Sequence, residues 1–586
     1  MPARVRAAFS PPDGSVLVLF VALTVLLFRR GWSGPTSRWI GAAGDPPTYM
    51  WFLKWTPWAL GRGDNPLFTR HVNFPDGVNM MWNNFEPLVG LAASPFTFLF
   101  GIVFSYNVVL TLGVALSGWC AYLFLRRHTE HEAAAVIGGL LYGFSPFVMS
   151  HALTHLNLVQ LYILPLMVMA AEEIVVHQRR PVWVSGGVLG VLVAAQLLIG
   201  EEYLVYEVFA LAIGTLVLAA AHWREVRSRA PYVLRSVGAG VVVALLIAGG
   251  PLAYQFFGPG RATHGILHPI EALSADLLAF VVPTELQQVN PPWTKDVTSK
   301  FTDACCLEEQ GSYLGVPLLL LLVVAATRWW GRDIVKVATV VGVIFLVLSM
   351  GPHLHIAGTV TPMSLPFRAL QSVPVIGNII PRRLVLLTWL GAGVLVALWA
   401  DAVLRRGRHQ VAAVAGGVAL LVALVPLVPT LRYPATTAVV PDFFTSAAVE
   451  RIPRDSVALV APFSRDTNTS APMLWQAEAD YRYKMPEGYI LGADEDGRFN
   501  FLPSASVISK AMEDIQNGGQ APALTADVRA QIERELAERR VESVIVGPLT
   551  QRAAMVAFFT ELLDRPPERI AGVELWRDVG RSRDAG

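Results

Sequence analysis

GDPPTYMWFLKWTPWALGRGDNPLFTRHVNFPDGVNMMWNNFEP, residues 44–87, decides how the rest of this chain is read. It follows one apolar run and precedes a long series of others. Asp45 stands just beyond the first run, where an acid is costly and usually has a task. Tyr49, Trp51, Phe52, Trp55 and Trp58 come next, a pattern that predicts a helix lying in the headgroup layer. An acid at a membrane face, with an interfacial helix behind it, suits an enzyme that meets a lipid-linked substrate. A plainer reading is compatible with it: an Asp before Pro46 and Pro47 begins helices well.

The composition agrees with a membrane setting. Of 586 residues, 53% are hydrophobic and 16% charged, with a mean hydropathy of +0.47, whereas a soluble protein carries about 25% charged residues. Apolar runs at 15–28, 106–125, 133–148, 156–176, 182–198, 203–221, 233–253, 314–326, 335–349, 384–402 and 411–428 predict roughly eleven membrane spans. The segment 88–103 is apolar too, but Pro87, Gly90 and Pro95 interrupt it, which predicts a re-entrant or interfacial piece.

Basic residues set the expected orientation. Arg126/Arg127, Arg179/Arg180, Arg224/Arg227/Arg229, Arg328/Arg332 and Arg405/Arg406/Arg408 fall in alternate loops. They share a side with Arg4 and Arg6, so the N-terminus is expected in the cytoplasm. An odd number of spans then places the C-terminus outside. Arg29 and Arg30 run against this trend. A cleaved signal peptide is the other reading of the first forty or so residues, but no small-x-small site follows the apolar run.

The expected fold class is a polytopic α-helical membrane protein of the cell membrane, with a C-terminal extracytoplasmic α/β domain. Residues 1–431 form the membrane part, with outer loops at 31–86, 255–310 and 351–383. Residues 432–586 form the outer domain. Its strands are expected at 456–461, 541–546 and 572–577, and a Glu- and Arg-rich helix at 525–540, with Thr525 as its N-cap. It carries no nucleophile–base signature, metal cluster or phosphate-binding loop.

The net charge of +1, without a basic aromatic patch, gives no sign of nucleic acid. The three cysteines, Cys120 within a span and the adjacent Cys305 and Cys306, form no spaced framework for disulfides or zinc. A strained vicinal disulfide is the alternative for the adjacent pair.

Several polar residues at the expected outer face are candidates for substrate binding. Asp76 and Asn79 sit around a Pro-Asp-Gly turn. They suit sugar hydroxyls, although such a turn forms unaided. His151 and His155 stand at i, i+4 with Asn157 beyond. That spacing suits a metal if the segment is helical, or the lining of a polar cavity. Glu201 and Glu202 join two spans with almost no loop. Adjacent carboxylates there need water, a cation or a substrate; a solvated hairpin tip is the plain reading, and helical geometry aims only one of them at a cavity. Arg382 and Arg383 precede a span on the same side. They suit a lipid phosphate or simple snorkelling to the headgroups. Arg261, His268, Lys295 and Arg368 are secondary candidates.

These features together resemble the GT-C superfamily of integral-membrane glycosyltransferases. The resemblance rests on the acid of the first loop (GDPPTYMW), the interfacial helix, the P-x-G-x-N turn of Pro75, Gly77 and Asn79, the many spans and the outer C-terminal domain. The patches FPDGVN, THLNL and GEEY also look like those of uncharacterised actinobacterial-type membrane proteins. The resemblance implies an inverting transfer of a hexose or pentose from a polyprenyl-phosphate-linked donor to an envelope glycan, lipid or protein acceptor, among membrane lipids. Asp45 is then the catalytic base. Many relatives carry paired acids where this chain has Asp45 alone, so no cofactor is expected to be required and a divalent metal is not indicated.

The chemistry stands without the family. A polyprenyl phosphate leaves without a general acid but needs cations, a role for Arg382 and Arg383. The acceptor hydroxyl needs a base, a role for Asp45. The other classes are a lipid-linked glycan transporter and a non-catalytic membrane scaffold. A transporter would place its polar residues near the midplane, whereas here they collect at one face. An enzyme predicts a pocket lined by Asp45, His155, Glu202 and an arginine.

Overall fold

The computed structural model describes residues 11–265, 268–302, 306–373, 376–405, 410–465, 469–502 and 505–579. Arg4, Arg6, Cys305, Arg406 and Arg408 lie outside them. The chain forms two compact units. The first comprises Met1–Gly34, Asn107–Gly249 and Ile266–Ala435, and the second Pro35–Tyr106, Gly250–Gly265 and Thr436–Gly586.

The first unit is a helical membrane bundle. Among the described residues, eight helices are long and apolar enough to cross a bilayer: Ile102–Leu125, Glu132–His151, Asn157–His177, Val182–Ile199, Glu201–Ala221, Trp223–Phe257, Pro381–Arg405 and Gln410–Leu427. The other three of the roughly eleven expected spans, at 15–28, 314–326 and 335–349, form helices shorter than these. Asp13–Leu27, Pro87–Phe100 and Val316–Arg328 are shorter apolar helices. The helix Asp333–Ser349 has 17 residues, about 26 Å at 1.5 Å per residue, against ~30 Å of hydrocarbon.

Pro381–Arg405 is the axis of the bundle, buried over nearly its whole length. It packs against Asp333–Ser349 and Glu132–Gly143. Small residues permit the contact: a Cβ on Gly138 would stand 2.7 Å from the Gly393 carbonyl, and one on Gly391 2.6 Å from the Ala338 carbonyl. Such close approach suits helices that gain from packing rather than from hydrophobic burial. Peripheral helices present bare apolar faces, with Leu246 80% and Val411 85% exposed, as contact with lipid requires. Cys120 is a free, buried thiol, and Cys306 is disulfide-bonded.

The second unit is α/β. Its four-stranded sheet runs in the order Glu568–Ile570, Val573–Arg577, Val541–Val546, Val457–Ala461. The last two strands are parallel. Three of these four strands fall at the short apolar runs where they are expected. The helix Ala526–Glu538 follows Thr525, whose hydroxyl accepts from the Val528 N–H at 3.4 Å. Phe463, Ile508, Met512, Ile532, Phe559 and Trp576 belong to the core beneath the sheet.

The aromatic helix Pro46–Arg62 departs from expectation. It lies in this unit, packed on the helix Ala471–Glu478. Trp51 is fully buried, and its indole N–H donates to Gln476 Oε1 at 2.7 Å. Tyr481 donates to the Trp51 carbonyl at 2.8 Å, and Lys54 pairs with Asp480 at 3.3 Å. Trp51, Trp55 and Trp58 stack in series. Their rings therefore face protein, not headgroups. Amphipathic indoles suit either setting, because each needs an apolar body and one acceptor.

Candidate functional site

Two polar centres stand out, one in each unit. The first gathers around Arg383, which is 8% exposed. Its guanidinium donates Nε to Glu309 Oε1 at 3.1 Å, Nη2 to the same oxygen, and Nη1 to Glu202 Oε2 at 2.8 Å. Tyr206 donates its hydroxyl to Glu202. Arg382 donates to the Ser274 carbonyl at 2.6 Å and the Glu309 carbonyl at 3.2 Å. Both arginines are inside protein, so the snorkelling reading is corrected: buried charges must be paired, and these are.

His155 Nδ1 lies 3.9 Å from Glu309 Oε1 and 3.2 Å from His151 Nδ1. Burial pushes the Glu309 carboxyl up, but Arg383, His151 and His155 more than offset this and hold it at about 2. Burial, followed by the charge of Arg383, pushes His268 down to about 4. Asn157 is buried in the turn after the histidines. Glu202 is the member of its pair bonded to Arg383, while Glu201 is half-buried.

Glu309 was not singled out from the sequence. Its signal was present: Glu308 and Glu309 are adjacent acids just before an apolar run, like Glu201 and Glu202. It supplies the acid that the two histidines lacked locally, since ligand atoms of His151, His155 and Glu309 lie within 4.8 Å of one another. This nitrogen–oxygen donor set fits a divalent cation such as zinc.

The second centre lies around Asp45. Asp45 occupies the N-cap position of Pro46–Arg62, but its backbone is αR and its side chain makes no capping bond. Only its carbonyl serves the helix, accepting from Thr48 at 2.8 Å and Tyr49 at 3.2 Å. The capping reading of its carboxylate is thus corrected. Glu86, which the sequence reading passed over, precedes the helix Pro87–Phe100. It is 3% exposed, and neither carboxylate oxygen has a hydrogen-bond partner. Its φ of +49° is a left-handed conformation that costs a non-glycine residue about 1 kcal/mol or more. Burial pushes its carboxyl well above the ordinary range. The Tyr106 hydroxyl is buried and lacks a hydrogen-bond partner among the described residues.

The Pro-Asp-Gly turn is structural in form. Gly77 has φ +76°, and a Cβ there would stand 2.5 Å from the Thr69 carbonyl. Asp76 is exposed. Asn79 is fully buried; it donates to the Tyr254 and Pro259 carbonyls at 3.0 and 3.2 Å and accepts from the Met81 N–H at 3.1 Å. Its amide is therefore committed inside the unit. Arg261, Lys295 and Arg368 are exposed.

A family model described as a domain of unknown function, DUF6311, matches residues 17–374. No curated protein matches the sequence. Solved structures do match in fold. The mycobacterial arabinofuranosyltransferase AftD is similar over 99% of this chain, at TM-score 0.53 and 14% identity; this chain spans 40% of its length. The oligosaccharyltransferase of Archaeoglobus fulgidus is similar over 91% of this chain and 69% of its own, at TM-score 0.54 and 12% identity. The A. fulgidus oligosaccharyltransferase AglB, solved with an inhibitory peptide and a dolichol-phosphate, is similar at TM-score 0.51 and 13% identity, over 92% and 69%. The chain shares its fold with these solved structures.

Proposed function

The chain belongs to the DUF6311 family, and from that premise we propose that it is an inverting glycosyltransferase using a polyprenyl-phosphate-linked sugar. The observation that carries this reading is the place of the Arg383 cluster. Arg383 opens the helix Pro381–Arg405, Glu202 opens Glu201–Ala221, and His151 closes Glu132–His151. Charged groups gathered at helix ends suit headgroup chemistry, whereas a transport pathway needs them near the midplane. The fold shared with two glycosyl-transferring enzymes supports the same reading.

The acceptor hydroxyl oxygen attacks the anomeric carbon, and the bond from that carbon to the phosphate oxygen breaks. Asp45 takes the hydroxyl proton. The polyprenyl phosphate leaves with its charge answered by Arg383 and its neighbours. Glu202, less buried than Glu309, is the carboxylate that gives way to the phosphate. A divalent cation, where one binds, would be held by His151, His155 and Glu309 and would add positive charge beside the leaving group. The cell-membrane orientation proposed with this reading is a cytoplasmic N-terminus and an extracytoplasmic C-terminus; the acceptor is an envelope glycan, lipid or protein.

The test is binding of farnesyl phosphate to the purified full-length protein. Arg383→Gln, checked for folding, should weaken it by tenfold or more. Equal binding by folded Arg383→Gln sinks the assignment of the phosphate.

A further inference from the structure

We infer that a cavity at the far end of the helix Pro381–Arg405 holds the headgroup of an anionic phospholipid, gripped by Arg332 and Arg405. This site is separate from the Arg383 cluster and does not rest on the transferase reading. Arg383 opens the helix and Arg405 closes it. At 1.5 Å per residue they stand about 33 Å apart, enough to span ~30 Å of hydrocarbon. The cavity therefore belongs to the opposite face of the membrane.

The cavity measures about 190 Å³ and is lined by Trp329, Arg332, Leu398, Ala402 and Arg405. A cavity of ~150 Å³ takes a guest the size of benzene, so a phosphodiester fits here with part of its glycerol. Two guanidiniums face an indole, a leucine and an alanine. The indole is fixed: Trp329 packs edge-on to Trp399 at 6.0 Å, and the Trp399 N–H donates to the Gly416 carbonyl at 3.0 Å. The two arginines differ in their partners. Arg405 is pinned, donating to the buried Asp401 and pairing with Glu130 at 2.8 Å. Asp401 also accepts from the Glu130 and His131 backbone N–H groups at 3.0 and 2.9 Å. Arg332 donates to the His128 carbonyl at 3.2 Å, and no carboxylate pairs with it among the described residues. Most of its five N–H groups are thus open to a ligand. Partial burial, followed by the charge of Arg405, lowers its guanidinium more than Asp401 and Glu130 raise it.

The class of ligand follows from this lining. A guanidinium fork matches the oxygens of a phosphate. The headgroup must carry net negative charge, because Asp401 and Glu130 are bound to Arg405 and neither is left to answer an ammonium. A lipid, and not a free anion, follows from the neighbouring helices. Val316–Arg328 and Gln410–Leu427 both pack on Pro381–Arg405. Their residues Leu320, Val323, Val411 and Val414 are exposed, which gives acyl chains an apolar face to follow. Basic pockets between membrane helices take anionic headgroups on the cytoplasmic side, the side expected for the loops of Arg332 and Arg405.

The experiment titrates the full-length protein in detergent with dioleoylphosphatidylglycerol or dioleoylphosphatidylcholine and reads the bound lipid by native mass spectrometry. The wild type should hold one phosphatidylglycerol about tenfold or more tightly than phosphatidylcholine. Arg332→Gln should erase that preference. Arg332→Lys should keep part of it, since an ammonium carries the charge without the fork. Arg224→Gln, which removes an exposed charge from another loop, should leave the preference intact. Because no carboxylate pairs with Arg332, Arg332→Gln should melt as the wild type does. Its binding of farnesyl phosphate should also be unchanged. The inference is overturned if the wild type holds both lipids equally, if Arg332→Gln keeps the preference, or if Arg224→Gln loses as much of it. Displacement of the lipid by sodium phosphate at millimolar concentration would make this a free-anion site and overturn the lipid. An Arg332→Gln protein that melts well below wild type would make the arginine structural and overturn the site.

Discussion

Two buried centres, one in each unit, treat their acids in opposite ways. In the first, Arg383 is met by Glu309 and Glu202, and Arg382 by two carbonyls. In the second, Glu86 keeps both oxygens vacant, and Glu487, also fully buried, spends Oε1 on the Val460 N–H at 2.8 Å while Oε2 has no partner. A closed network holds helices together and places a charge. A vacant carboxylate costs stability, and a ligand can repay it. A buried glutamate therefore does different work in the two centres, and substitutions should behave differently in each.

The largest effect is expected where the network is closed. Arg383→Met leaves Glu309 buried without its cation, so about 3–5 kcal/mol of stability should be lost. Thermal unfolding in detergent measures it, and a melt unchanged from wild type would remove the contrast between the units.

Next comes Asp45→Asn. The amide keeps the size and shape of the side chain, so stability should change by no more than about 1 kcal/mol. Transfer should fall roughly 10²–10⁴-fold, because the amide has no proton affinity to offer. Near-normal transfer by this variant would break the proposed mechanism at its centre.

Glu487 sharpens the comparison through pH. Burial pushes its carboxyl up to about 8, partly offset by the Val460 N–H. The folded state holds the proton more tightly than the unfolded chain, whose carboxyl titrates near 4.5. This group's contribution is therefore full below pH 4.5 and lost as pH rises towards 8. Glu487→Gln should flatten the decline in melting temperature across that window. A decline as steep as wild type refutes the assignment.

The smallest effect is expected at Glu207, buried within the helix Glu201–Ala221. A transporter would need such an acid and a transferase would not. Glu207→Gln should keep sugar transfer within about twofold, a change of less than ~0.5 kcal/mol. A large loss would favour the transport reading.

Much of the architecture is local and so was legible in the chain itself. Apolar runs near the bilayer's thickness become helices because every backbone group must be satisfied internally. The short apolar runs at Val457–Ala461 and Val541–Val546 become strand, and Thr525 caps its helix. Asp45, Glu202, His151, His155 and Arg383 stood out because charge at a membrane face is costly. What remained hidden depends on contacts far apart in sequence. Arg383 meets Glu309 across 74 residues and Glu202 across 181. Trp51 meets Gln476 across 425, which turns an expected interfacial helix into part of an α/β unit. Glu86 gave no signal in the chain itself, because its burial belongs to the helices that close over it. Periodicity reports which face of an element is apolar; only packing decides which partner covers that face and which polar atoms are left without one.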